Sequence, residues 1–150
     1  MKPEDTIDFN IRSTWHKIAR MYNVQAAEHG VSMATGMVLL NIDLKEGTPS
    51  TSLGPKMGME SRSLTRTLKN LEDQKVIYRQ ADKHDKRKVR IFLTELGIEK
   101  REISKEKVIQ FNTHLRNNLK EKDLTIFFKI MGEINELIDE NNIFLAQNGQ

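Results

Sequence analysis

The residues best equipped for chemistry fall into two short basic runs. The first is Ser61-Arg62-Ser63-Leu64-Thr65-Arg66-Thr67-Leu68-Lys69, and the second is Asp82-Lys83-His84-Asp85-Lys86-Arg87-Lys88. Arginine carries a planar fork that can grip two acceptors of a guanine edge. Lysine offers a compact charge to a phosphate, and serine and threonine hydroxyls can bond bases or phosphates. Residues 51–93 hold 11 Lys/Arg against 5 Asp/Glu, whereas 1–50 hold 5 against 6 and 94–150 hold 8 against 10. The chain's net charge is only +3, and its basic excess is confined to the middle. That distribution implies either a polyanion contact made by one segment or a solvated surface with chance clustering.

Catalysis finds no footing. His16, His29, His84 and His114 are far apart, there are no cysteines, and neither HExxH, GxSxG nor a glycine-rich phosphate loop is present. No enzyme activity, cofactor or metal is expected. Asp82 and Asp85 could pass for a catalytic pair, but a solvated loop offers nothing to shift their pKa. Asp85 reads instead as a partner that orients Arg87 within the loop. The neutral alternative is a surface ion pair worth well under ~1 kcal/mol. Trp15 reads as core or dimer packing, with the lining of a ligand pocket as the alternative, and the seven methionines read as packing.

The elements that must position these runs follow from periodicity. Ile7, Ile11, Trp15, Ile18 and Tyr22 share one face of a helix over 6–28, ended by His29-Gly30. Ser32 caps a second helix that carries Met37 to Leu44 and stops at Glu46-Gly47. Thr48-Pro49-Ser50 is extended. A third, short helix opens at Thr51 or Ser52, bears Leu53 and Met57, and breaks at Gly58. A fourth runs from Glu60 or Ser61 to about Gln74 with Leu64, Leu68 and Leu71 as its apolar stripe. Val76–Gln80 and Val89–Leu93 read as strands of a hairpin, and the charged connection between them cannot be core. Thr94 starts a fifth helix, with Glu95 in its first turn, that reaches about Leu119. A last helix carries Leu124, Phe127, Met131, Ile134 and Ile138, the seam of a helix–helix contact. That seam serves either intramolecular packing or, as the two long helices favour, a dimer interface.

Two short helices joined by a glycine-containing turn form a helix-turn-helix pattern, whose second helix enters a major groove. At ~100° per residue, Arg62, Arg66 and Lys69 fall opposite the leucine stripe, with Ser61, Ser63 and Thr65 near the helix N-terminus. Alone, this is equally an ordinary amphipathic helix. The projecting basic loop beside it tips the balance, because an arginine on such a loop suits a narrow minor groove. The expected fold is therefore α+β, mainly α: a winged helix-turn-helix with long terminal helices. The expected organisation is a single domain over 1–150, with a DNA-binding core at about 32–93 and dimerisation helices at 4–29 and 94–147. No apolar run reaches the ~20 residues a membrane helix needs, and the acidic, polar N-terminus is not a signal peptide. A cytoplasmic location is expected. The rival reading is a winged helix used as a protein–protein interaction module, which would need an exposed apolar patch on that surface.

The stretch Leu53 to Gly97 resembles the MarR family of bacterial winged-helix regulators. Ser63-Leu64-Thr65-Arg66-Thr67-Leu68-Lys69-Asn70-Leu71-Glu72 is similar to its recognition helix, and Lys75-Val76-Ile77 to the exit into its first wing strand. Asp82-Lys83-His84-Asp85-Lys86-Arg87 is similar to its wing, and Phe92-Leu93-Thr94-Glu95-Leu96-Gly97 to the strand end and helix cap that close the motif. The resemblance implies a homodimer built from the first and last two helices. It implies binding to a pseudo-palindromic double-stranded operator, usually as a repressor. It also implies control by a small, often aromatic or phenolic ligand near the joint of dimer helices and winged helix. It matches Arg66 to the basic residue of the family's recognition helix and Arg87 to its minor-groove arginine. From the residues themselves, Arg62, Ser63, Thr65 and Arg66 are expected to contact the major groove, and Lys83, Lys86 and Lys88 phosphates. Two departures stand out. Gly54-Pro55 lies inside the third helix, which should therefore start late or be short. Lys86 replaces a frequent arginine and loses its planar fork.

Overall fold

The computed structural model describes residues 1–140 and contains two compact units, Met1–Lys107 and the chain from Val108 onward. After a 3₁₀ turn at Pro3–Asp5, the elements run α1 (Ile7–Ala27), α2 (Met33–Leu40), β1 (Thr48–Pro49), α3 (Ser50–Met57) and α4 (Ser61–Asp73). They continue with β2 (Ile77–Ala81), β3 (Val89–Leu93), α5 (Glu95–Asn118) and α6 (Glu121–Asp139). The sheet is antiparallel in the order β1-β3-β2. The expected α+β, mainly helical architecture is what forms. The last part of the expected dimerisation span, residues 141–147, lies outside the described residues.

The first unit gathers one core. Val38 and Leu39 of α2, Ile42, Leu53 of α3, and Leu64, Leu68 and Leu71 of α4 meet Val76, Ile77 and Ile91 of the hairpin. Local chemistry sets the ends of these elements. The Ser32 hydroxyl accepts the Thr35 N–H at 3.1 Å, and Gly58 closes α3 in the left-handed conformation. The Thr94 hydroxyl accepts the Gly97 N–H at 3.1 Å and donates to the Lys75 carbonyl at 2.7 Å, tying the start of α5 to the end of α4.

Three expectations require correction. The second helix stops at Leu40, short of the expected Glu46-Gly47. The Asp43 carboxylate accepts the Lys45 and Glu46 N–H groups at 2.8 and 2.7 Å, so a local turn competes successfully with another helical turn. Ile42 still enters the core from outside the helix. The third helix is short, as one alternative had it, but begins at Ser50 rather than late, and Pro55 sits inside it. In so short a helix, Pro55 forgoes only one backbone bond, while the preceding Gly54 lets α3 approach the Met59 carbonyl and Leu64 closely. Finally, the wing's first strand is Ile77–Ala81, one residue later than read.

None of α1 is buried: Ile7, Trp15 and Val24 are all exposed. It is nonetheless anchored, because Asn23 accepts the Met33 N–H at 2.9 Å. Lys100 of α5 also donates to the His29 carbonyl at 3.1 Å. In the second unit, α6 buries Leu124 but exposes Phe127, Phe128, Ile130, Leu137 and Ile138. Arg116 lies over the Phe128 ring at 5.8 Å.

Candidate nucleic-acid interface

The leucine stripe of α4 is what orients its other side. Leu64, Leu68 and Leu71 are buried, so Ser61, Arg62, Ser63, Thr65, Arg66 and Lys69 are all left exposed on one surface. Their backbone is that of a regular 13-residue helix. One chemical detail differs from expectation. The Thr65 hydroxyl donates to the Ser61 carbonyl at 2.8 Å, so toward a ligand it offers acceptor lone pairs and a methyl group rather than a free donor. Thr67 bonds back to Ser63 in the same way, at 2.9 Å.

The wing presents Lys83, Lys86, Arg87 and Lys88, all exposed. Its tip is a short turn in which Lys88 donates its N–H to the Asp85 carbonyl at 2.9 Å and Asp82 donates its own to the Lys88 carbonyl at 2.9 Å. Asp85 touches Arg87 through the backbone: its carboxylate accepts the Arg87 N–H at 3.1 Å. The ionic partner of Asp85 is Lys88, at 3.9 Å. Asp85 thus shapes the turn that carries Arg87, without pairing with its guanidinium.

Asp82 corrects the sequence reading most sharply. The connection was expected to be solvated throughout, with nothing to perturb its carboxylates. Asp82 is instead buried, at 9% exposure. One of its oxygens accepts the Arg90 guanidinium at 2.8 Å, and the other accepts the His84 and Asp85 N–H groups at 2.8 and 3.1 Å. Arg90 first, and then those two amides, hold its pKa down to about 2. Sequence reasoning passed over Arg90 entirely. The available signal was an arginine in a strand position beside a cluster of loop acids and glycine.

One ion pair joins α4 to the hairpin, Arg79 of β2 with Glu72 of α4 at 3.0 Å; within the hairpin, Tyr78 stacks on Phe92 with ring centroids 5.4 Å apart. Lys75, between α4 and β2, has a φ of 56°, a conformation that costs most residues about 1–2 kcal/mol. Among the described residues no cluster of His, Cys, Asp or Glu could hold a metal ion. No helix among them is long and apolar enough to cross a membrane.

This geometry has known counterparts. Residues 31–89 match the model of the MarR family. The transcriptional regulator SarZ of Staphylococcus haemolyticus is 31% identical over 90 residues, which cover 60% of this chain and 61% of that relative. The match therefore spans less than two thirds of the relative's own length. Among solved structures, MepR of S. aureus in complex with DNA superposes with a TM-score of 0.77 at 19% identity, covering 90% of this chain and 98% of that one. CouR of Rhodococcus jostii RHA1, bound to p-coumaroyl-CoA, superposes with a TM-score of 0.78 at 18% identity, covering 89% and 94%. At such identities the superpositions establish the fold. The family match falls on the residues that build the helix pair and the wing, and over that winged helix the chain is similar to the MarR family.

Proposed function

We propose that this chain is a transcriptional regulator that binds double-stranded DNA as a homodimer, placing α4 in the major groove and the wing in the adjacent minor groove. One observation carries the reading. The exposed face of α4, bearing Arg62, Arg66 and Lys69, is fixed by three buried leucines and belongs to the same compact unit as a wing exposing Lys83, Lys86, Arg87 and Lys88. Arg66 and Arg62 would read base edges, Arg87 the minor groove, and the lysines phosphates. The DNA-bound MepR neighbour supports the choice of partner.

The dimer rests on apolar surface that a single chain leaves in water. Ile7, Trp15 and Val24 on α1, and Phe127, Phe128, Leu137 and Ile138 on α6, are exposed. Each helix thus shows several large apolar side chains to solvent, a mark of surfaces that associate. Two subunits would read half-sites about one helical turn apart in a pseudo-palindromic operator. Repression, relieved by a small aromatic or phenolic effector in the cytoplasm, completes the proposal, and the ligand-bound CouR neighbour supports an effector. Similar to the MarR family over its winged helix and with no catalytic constellation in its sequence, the chain is read as a regulator and not an enzyme.

The test is a fluorescence-anisotropy titration against the DNA upstream of the protein's own gene, with unrelated DNA as control, at two salt concentrations. Saturable binding to the upstream DNA alone, weakening steeply with salt, is expected. No binding to either DNA at low salt would overturn the reading in favour of a protein-interaction module.

A further inference from the structure

Arg90 belongs to the basic stretch by sequence, yet both edges of its guanidinium are already occupied. Nη1 donates to Asp82 at 2.8 Å, Nε donates to the Glu46 carbonyl at 2.7 Å, and Nη2 donates to the Gly47 carbonyl at 3.3 Å. Only 25% of the side chain is exposed. A phosphate or a guanine needs an open fork edge, and none is left.

The three acceptors come from two different pieces of the chain. Glu46 and Gly47 belong to the loop between α2 and β1, and Asp82 belongs to the wing. The loop end is closely packed against β3. Gly47 sits at a φ of +63°, and a Cβ there would come within 2.7 Å of the Ile91 carbonyl. The wing end passes the constraint on, because Asp82 accepts the His84 and Asp85 amides and Asp85 accepts the Arg87 amide. An unbroken series of hydrogen bonds thus runs from the α2–β1 loop through Arg90 to the backbone of Arg87. Lysine could not replace it, because a single ammonium cannot span two carbonyls and a carboxylate in that fixed fork.

We propose that Arg90 is a positioning residue for the wing: it fixes Asp82, and so the turn carrying Arg87, against the α2–β1 loop without contacting DNA itself. The DNA half of this proposal rests on the reading that the wing binds DNA.

The experiment uses Arg90→Gln and Arg90→Lys in the full chain, each alone and with Arg87→Ala. Without DNA, hydrogen exchange by NMR should show the His84 and Asp85 amides exchanging roughly tenfold faster or more in both single variants, with the α4 amides unchanged. With DNA, both should weaken binding by roughly 5- to 150-fold, the range of one lost contact, and lysine should give no rescue. In the Arg87→Ala background, Arg90→Gln should add less than about twofold and leave the salt dependence alone. Rescue by lysine, full additivity with Arg87→Ala, or a salt slope reduced by about one further unit would make Arg90 a phosphate contact and overturn the proposal. Unchanged exchange at His84 and Asp85 would overturn it as well. If Arg87→Ala itself leaves DNA affinity intact, the DNA reading of the wing fails, while the exchange data still decide whether Arg90 holds the wing.

Discussion

Helix α4 and the wing carry similar charge and are held in place by opposite means. In α4 the orienting force is apolar burial, distributed over three leucines one turn apart, so no single polar contact decides where Arg62 and Arg66 point. In the wing no apolar side chain lies between Ala81 and Val89. Its geometry depends on one buried carboxylate, one arginine and a few backbone amides. The helix is therefore robust to substitution of any exposed residue. The wing is vulnerable at two residues that need not touch a ligand. Burial is additive and forgiving, whereas a buried polar network works only when every member is paired.

The largest expected effect attacks the helix from its buried side. Leu68→Ala or Leu71→Ala should destabilise the protein by about 2–5 kcal/mol in urea unfolding, since each opens a cavity in the only core of the first unit's described residues. A loss below ~1 kcal/mol would mean that burial does not anchor α4. Next come the exposed arginines. Arg66→Ala and Arg87→Ala should each weaken operator binding by roughly 1–3 kcal/mol in anisotropy titrations, with the unfolding midpoint unmoved. If only one of them matters, the two surfaces do not act together. A smaller effect is expected at the junction. Lys75→Gly should raise stability by about 0.5–1 kcal/mol, because glycine relieves the left-handed strain and gives back part of it as chain entropy.

The smallest effect concerns pH. Because the folded pKa of Asp82 lies below its unfolded value, its contribution is fully present above the ordinary carboxylate range. It fades as pH falls toward about 2. The exchange protection of the His84 and Asp85 amides, corrected for intrinsic rates, should therefore be constant between pH 5 and 8. A change in that window that persists in a His84→Gln variant, which removes the one imidazole of the turn, would show that Asp82 titrates far above the range its partners impose.

Reading the sequence went furthest where a period governed structure. The 64-68-71 spacing located α4 and its outward face. The sequence also placed the Ser32 and Thr94 caps and the break at Gly58, because each is a local event within a few residues. It failed where local options competed. The apolar run from Met37 to Leu44 reads as one helix, but the Asp43 carboxylate bonds the next two amides and ends it early. Pro55 reads as a reason for α3 to start late or be short; the helix is short, at eight residues, but starts at Ser50.

By itself the sequence determined the order of elements, the basic centre and the residues that face outward from α4. These depend on spacing along the chain and on side-chain polarity. Only the tertiary structure decided the role of Asp82 and Arg90, which read as two more charges in a charged loop. Forty-four residues separate Arg90 from Glu46. A contact between such distant positions is created by strand pairing and the return of the α2–β1 loop, and no local pattern encodes it. The same pairing removes Asp82 from water, turning a surface acid into the fixed point of the wing.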